Sequence, residues 1–179
     1  RGFRRAVEEG VAAARAGYIA TIGITPTEPA IGFGYIHCAG PLAIEGAPHA
    51  VAVESFVEKP DLATAEKYVA DGNHLWNGGM FIARADVLLA QLGESNPRLL
   101  EGLTELAAAW DTPRRGAVVD KVWPALPKIA IDYTVAEPAA ASGKLVVIPG
   151  DFDWDDVGDF ASIAKLHAAA AREKAASAD

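Results

Sequence analysis

The sequence predicts an α/β fold, in which helices alternate with buried strands. Residues 3–16 carry apolar side chains at helical spacing. Gly17 follows directly, and glycine is the preferred residue just after the C-terminus of a helix. Residues 18–24 then form a nearly continuous apolar run of strand length, which is typical of a buried, parallel strand. A helix followed by a buried strand is half of a βαβ unit, and we therefore expect a sheet covered by helices.

The rest of the chain continues this alternation. Apolar periodicity, capping residues and turn residues separate the further elements. We expect a loop over 25–34, a loop or hairpin over 40–50, a strand over 53–58, a helix over 61–72 capped by Asp61, a short buried strand over 80–83, helices over 86–93, from Pro97 and over 118–123, a strand over 144–149, and a long alanine-rich helix from Phe160.

The amino-acid composition excludes several classes of protein. The 179 residues are 51% hydrophobic and 22% charged, which suffices for one domain with a proper core. The net charge of -8 argues against a nucleic-acid binder. No apolar run is long enough to cross a membrane, and the basic first residues lack the apolar stretch of a signal peptide. The single cysteine, Cys38, and four histidines without ligand spacing indicate a cytoplasmic protein with no cysteine-based metal site.

The end of the strand over 53–58 is the first candidate site. Lys59 precedes Pro60, which disfavours the α region for its backbone. Glu58 and Lys59 are therefore expected at a strand-to-helix turn, the edge of an α/β sheet where ligands bind. Glu58 could accept hydrogen bonds from hydroxyls and Lys59 could hold a phosphate, which together suit a sugar phosphate. The alternative is a surface ion pair.

Three further stretches carry polar residues or glycines. The first two have two interpretations each. Gly32-x-Gly34 allows close approach of the backbone to a ligand, or forms a plain turn. Asn77 could bind sugar hydroxyls next to Gly78 and Gly79, or belong to a tight turn. Asp132 could simply cap a short helix.

An acidic loop is expected directly after the strand over 144–149. Five aspartates fall within residues 151–159, interleaved with Phe152, Trp154 and Val157. Burial of these apolar side chains would order the carboxylates, and ordered carboxylates at a strand end suit Mg²⁺ that also binds substrate phosphates. The alternative is a solvated loop, and the pattern alone does not choose among the aspartates.

Five separated blocks, in this order, resemble the mannose-1-phosphate guanylyltransferase (GDP-mannose pyrophosphorylase) family of the sugar-1-phosphate nucleotidylyltransferase superfamily. They are Pro26-Thr27-x-Pro29-x-x-Gly32-Phe33-Gly34-Tyr35-Ile36, Phe56-Val57-Glu58-Lys59-Pro60, Trp76-Asn77-Gly78-Gly79-Met80-Phe81, Ile131-Asp132-Tyr133-x-Val135-x-Glu137 and Trp154-Asp155-Asp156-Val157-Gly158.

The resemblance implies a Rossmann-like nucleotide-diphospho-sugar transferase domain that makes GDP-mannose and pyrophosphate from GTP and mannose 1-phosphate. It implies that Glu58 binds sugar hydroxyls, that Lys59 binds the sugar phosphate and acts in catalysis, and that Asn77 and the backbone of Gly34 contact the sugar. Asp156 would be one of two Mg²⁺ ligands and catalytic. A homodimer is compatible with the resemblance.

The chain also departs from the family pattern. A Gly-rich nucleotide-binding loop with arginine and lysine, and the other metal-binding aspartate, are expected upstream of Arg1. Residues 1–179 would then be the sugar-phosphate-binding, C-terminal portion of a single catalytic domain, inactive alone. Ile31, Phe33 and Ala130 replace commoner family residues. A glucose-1-phosphate uridylyl- or thymidylyltransferase and a non-catalytic sugar-phosphate-binding regulatory protein are the alternatives.

Overall fold

The computed structural model describes residues 1–158, 160, 163 and 164. In this part of the chain, helices and strands are interspersed as in an α/β protein, but the predicted alternation is incomplete, because three strands follow one another after the first helix and several helices after the fourth strand. The α-helices are α1 (Gly2–Arg15), α2 (Leu62–Asp71), α3 (Ala85–Ser95), α4 (Pro97–Ala109), α5 (Arg115–Val122) and α6 (Glu137–Ala141). The strands are β1 (Ile19–Ile24), β2 (Gly34–Pro41), β3 (Val51–Glu58), β4 (His74–Ile82) and β5 (Leu145–Pro149). A short 3₁₀ turn, Trp123–Ala125, follows α5, and a π-helical turn, Asp132–Ala136, precedes α6.

The strands pair in the order β1-β4-β2-β3-β5, and β5 returns to β1 so that the sheet closes on itself. β1 and β5 are parallel, as the apolar run over 18–24 predicts, with Ile19 opposite Leu145 and Gly23 opposite Pro149. The other pairings are antiparallel. β1 and the first four residues of β5 are buried, which explains why both read as uninterrupted apolar runs.

The helices cover the sheet as the apolar stripes predict. Ala6 and Ala13 of α1 are fully buried on the sheet, and Ala139 of α6 is buried in the cluster that contains Ile19 and Val147. The predicted caps are confirmed: the carboxylate of Asp61 accepts from the amide of Thr64, and Gly72 ends α2 with a φ of 69°. The predicted alanine-rich helix from Phe160 lies largely outside the described residues.

The strand predicted over 80–83 is longer than expected and begins at His74. The interpretation of Asn77-Gly78 as a tight turn is therefore wrong. Thr21 pairs with Phe81 and Gly23 with Asn77, so β4 has two more residues than β1 in this interval and bulges there. Gly79 supplies the required φ of 69°. Residues typical of turns, Asn77 to Gly79, therefore lie inside a strand, because the bulge interrupts its regular geometry at this point.

No helix in the described residues is long and apolar enough to span a membrane.

Candidate active site

A cleft of about 240 Å³ opens beside the start of β2, the end of β3 and the bulge in the middle of β4. The five predicted site residues, taken from four separate stretches of the sequence, all line this cleft. Its lining is Gly32, Phe33, Gly34, Glu58, Lys59, Asn77, Gly78, Gly79, Asp132, Trp154 and Asp156.

Glu58, the last residue of β3, is held against β2 with a side chain that is only 11% exposed. It pairs with Gly34, where a Cβ atom would lie 2.6 Å from Glu58 Oε2 and 2.9 Å from Phe56 Cζ. Glycine at position 34 is therefore what allows the carboxylate to lie against the strand. The ion pair of the alternative interpretation is present, but the carboxylate that takes part in it is largely buried.

Lys59 extends from the same strand end with a side chain that is 61% exposed, and its Nζ lies 3.6 Å from Glu58 Oε1. Its backbone has a φ of 49°, the only positive φ at a non-glycine residue in the described part of the chain. The position of Lys59 before Pro60 correctly predicts that its backbone avoids the right-handed α region. It also suggests an extended backbone, whereas the backbone of Lys59 adopts the left-handed conformation. Such a conformation costs of order 1–3 kcal/mol and is concentrated at functional sites.

The surroundings of Glu58 disfavour its charge. Burial raises the pKa of Glu58, and the negative charges of Asp132 and Glu137 raise it further, while Lys59 opposes them. The amide of Glu58 also donates to Glu137 Oε1 at 3.5 Å. The carboxylate is thus held in place by the fold although its ionised form is poorly solvated.

Asn77 is 8% exposed, and hydrogen bonds fix the orientation of its amide. Its Oδ1 accepts from the hydroxyl of Thr21 at 2.7 Å and from the amide of Gly79 at 3.2 Å. Its Nδ2 donates to Asp132 Oδ1 at 3.2 Å. One N–H of the side chain therefore stays available to a ligand.

Sequence reasoning did not identify Asp132 as a site residue. The interpretation of Asp132 as a helix cap is wrong, since Ile131 precedes the π-helical turn and no side chain caps it. The carboxylate lines the cleft and contacts Asn77 instead. The sequence offered one indication of this role, because Asp132 belongs to one of the five blocks that resemble the family.

The acidic loop reaches the cleft through Trp154 and Asp156. The ring of Phe33 contacts the rings of Trp154 and Trp76 edge-on, with centroids 5.4 Å and 4.9 Å apart. Burial of Phe152 and Trp154 is thus partly as predicted, whereas Val157 is 49% exposed and does not anchor the loop.

Asp156 is exposed at the edge of the cleft. Within the described residues, no three His, Cys, Asp or Glu side chains come together as a group able to hold a metal ion by themselves. Asp159, the last of the five aspartates, lies outside the described residues.

Cys38 and the three histidines among the described residues, His37, His49 and His74, take no part in the cleft lining. Burial raises the pKa of the Cys38 thiol. His74 is 7% exposed and stacked between Tyr68 and His37. Its Nδ1 donates to Asp71 Oδ1 at 2.9 Å, so the buried ring is satisfied structurally.

Comparison with known proteins assigns the family. The chain matches the nucleotidyl transferase family over residues 1–173. It is 38% identical over 167 residues to a mannose-1-phosphate guanylyltransferase of Escherichia coli, covering 93% of this chain and 34% of that protein. It is 39% identical over 165 residues to the xanthan biosynthesis protein XanB of Xanthomonas campestris, covering 90% of this chain and 33% of that protein. The chain belongs to the nucleotidyl transferase family, as its five sequence blocks imply.

Solved structures agree with the fold. A Thermus thermophilus structure described as a mannose-1-phosphate geranyltransferase superposes with a TM-score of 0.73 at 34% identity, covering 89% of this chain and 43% of that one. A mannose-6-phosphate isomerase of Helicobacter pylori has a TM-score of 0.72 at 24% identity, which supports the fold alone. The α/β nucleotide-diphospho-sugar transferase fold is therefore confirmed. The chain spans about a third of the length of the curated relatives that it matches.

Placing a methyl group at position 34 should destabilise the fold. In Gly34→Ala the new Cβ must displace Glu58 or Phe56, because it would lie 2.6 Å and 2.9 Å from their side-chain atoms. We expect a loss of about 1–3 kcal/mol in the free energy of unfolding, measured by urea denaturation. Gly116→Ala is the matched control, since a Cβ there meets nothing within 4 Å and should leave stability unchanged or raised. Equal effects at both positions would contradict the close contact.

Neutralising Glu58 should stabilise the protein at neutral pH. Because its pKa is raised in the folded state, the folded protein binds more protons here than the unfolded chain, and stability falls as pH rises from the usual glutamate range through the raised pKa. Glu58→Gln should therefore raise the unfolding free energy at pH 7, with a gain that vanishes on acidification below that range. Glu54→Gln, on the exposed side of the same strand, is the control. A Glu58→Gln variant less stable than the parent at pH 7 would contradict this electrostatic account.

Proposed function

We propose that this chain is the sugar-1-phosphate-binding part of an enzyme that transfers the GMP unit of GTP to mannose 1-phosphate. The observation that carries the proposal is the convergence of a buried carboxylate, an oriented amide and an exposed ammonium on one cleft, at Glu58, Asn77 and Lys59. Carboxylate and amide suit hydroxyl groups, and the ammonium suits a phosphate. A sugar phosphate is the ligand class that uses all three.

The names of the relatives support mannose as the sugar and GTP as the donor. Several that match over most of this chain are called mannose-1-phosphate guanylyltransferases. Since this chain covers about a third of their length, the activity is proposed for the complete protein, with residues 1–179 as the sugar-phosphate-binding part of a single catalytic domain. The cytoplasm is the proposed location and a homodimer the proposed assembly.

The proposed reaction needs no covalent enzyme intermediate. An oxygen of the sugar phosphate forms a bond to the α-phosphorus of GTP, while the bond from that phosphorus to the α–β bridging oxygen breaks and pyrophosphate leaves. Two anions must approach each other, so positioning and charge neutralisation are the main requirements. Lys59 would hold the attacking phosphate and offset its repulsion from the triphosphate. Its strained backbone fixes where the side chain leaves the strand.

The carboxylate of Asp156 fits a magnesium ion. Mg²⁺ prefers oxygen ligands and commonly takes only one or two carboxylates, with water and substrate phosphates completing its shell. One exposed aspartate at the rim of a phosphate-binding cleft meets this requirement, although the described residues form no metal site by themselves. When bound, the ion would neutralise phosphate charge. Asp156 would hold it.

Removing the ammonium should impair both binding and turnover. In Lys59→Ala we expect kcat/KM for mannose 1-phosphate to fall about 10- to 100-fold, since a charge-assisted contact to phosphate is lost. KM should rise and kcat should fall, because the same group serves the ground state and the transition state. Lys67→Ala, on the exposed face of α2, is the matched control. Unchanged kcat/KM in the Lys59 variant would overturn the role of this residue.

A substrate panel tests the reaction itself. The complete protein should form its nucleotide sugar fastest from GTP and mannose 1-phosphate, with pyrophosphate release as the measurement. Faster reaction of glucose 1-phosphate with UTP or dTTP would favour the related uridylyl- or thymidylyltransferase. Binding of sugar phosphate without release of pyrophosphate from any donor would instead indicate a regulatory protein.

A further inference from the structure

The π-helical turn Asp132–Ala136 holds its first residue rigidly at the cleft. Thr134, Val135 and Ala136 are buried. The carbonyl of Thr134 accepts from the hydroxyl of Ser95 in α3, and the hydroxyl of Thr134 donates to the carbonyl of Ala130 at 3.1 Å. π-helical turns are frequent at functional sites. Burial of these three residues and the hydrogen bond from α3 hold the turn against the fold, and the partly exposed Asp132 carboxylate lies at its start and lines the cleft.

Asp132 and Asn77 together present both halves of a hydroxyl-binding site. Asn77 Nδ2 lies 3.2 Å from Asp132 Oδ1, and the oxygen of the amide is already occupied by Thr21 and Gly79. One amide hydrogen therefore remains free beside a carboxylate whose Oδ2 receives no hydrogen bond from any described residue. A hydroxyl group donates one hydrogen bond and accepts others, so it can satisfy both neighbours at once.

A second carboxylate, that of Glu58, belongs to the same cleft as this pair. The negative charge of Asp132 also contributes to the raised pKa of Glu58. Both line the same cleft, one from the end of β3 and one from the π-helical turn. Each of the two carboxylates can accept a hydrogen bond from a different hydroxyl group of one ligand in this cleft.

We propose that Asp132 is a specificity-determining residue that, with Asn77, binds one sugar hydroxyl while Glu58 binds the hydroxyl on the adjacent carbon. This inference rests on the proposed function and adds to it: the acceptor must be a sugar phosphate with a free vicinal pair of hydroxyls. Losing either hydroxyl leaves a carboxylate in the cleft without its partner, which is costly. The cleft is thereby selective against deoxy sugars.

The test combines variants with substrate analogues. Dissociation constants for mannose 1-phosphate and its 2-, 3-, 4- and 6-deoxy analogues are measured by calorimetry on the complete protein. The parent protein should bind two analogues, lacking hydroxyls on neighbouring carbons, about 10- to 100-fold more weakly than the natural sugar phosphate. Asp132→Asn should bind mannose 1-phosphate more weakly and lose discrimination against one of these two analogues, while keeping discrimination against the other.

Two further measurements separate a direct role from a structural one. With Asp132→Asn, the pH dependence of sugar-phosphate binding that belongs to Glu58 should move to lower pH, because a neighbouring negative charge is removed. Asp120→Asn, on the exposed side of α5, should leave affinity and pH profile unchanged. Asp132→Ala serves as the second variant, with circular dichroism to establish folding.

Each result decides one claim. If the Asp132 variants fold and still discriminate against every analogue as the parent does, the role of Asp132 is overturned and the sugar-phosphate site stands. If the parent protein binds no mannose 1-phosphate, the proposed function falls and the inference falls with it.

Discussion

The burial of the Glu58 carboxylate at the end of β3 is the constraint on which the site depends. It depends on glycine at position 34, because a Cβ there would lie 2.6 Å from Glu58 Oε2 and force the carboxylate to move. Burial and two neighbouring acids disfavour its charge, and the adjacent Lys59 has a left-handed backbone. Both features reduce stability. Strain and unfavourable electrostatics concentrated at one strand end are typical of a binding site whose geometry is maintained by the surrounding fold.

The fold supplies that support from several directions. β2 provides the glycine opposite Glu58, and the bulge in β4 brings Asn77 into the cleft. The π-helical turn before α6 contributes Asp132, and the loop after β5 carries Asp156. The cleft is therefore assembled from segments far apart in the chain, which meet because the sheet closes on itself. Glu58 and Lys59 are neighbours at one strand end, with Lys59 Nζ 3.6 Å from Glu58 Oε1, while Asp132 and Asp156 reach the cleft from two other segments.

Much of this arrangement could be predicted from the sequence, because local signals determine it. Helix caps such as Asp61 and the apolar runs of β1 and β5 depend on neighbouring residues alone, and the strand-end position of Glu58 and Lys59 follows from Pro60 and the helix after it. Asn77 and Asp132 could not be placed in the same way. The position of Asn77 depends on a bulge created by pairing with β1, and that of Asp132 on tertiary packing of a π-helical turn. The choice of Asp156 among the aspartates depended on family resemblance, since neighbouring carboxylates look alike in sequence.

The central claim is that this cleft binds a sugar 1-phosphate in one orientation. A crystal structure of the complete protein with mannose 1-phosphate tests it most directly. The account predicts the phosphate within hydrogen-bonding distance of Lys59 Nζ and two adjacent sugar hydroxyls at Glu58 and at the Asn77–Asp132 pair. A sugar phosphate bound outside the cleft, or inside it with the phosphate at Asp132 and the hydroxyls at Lys59, would contradict the account.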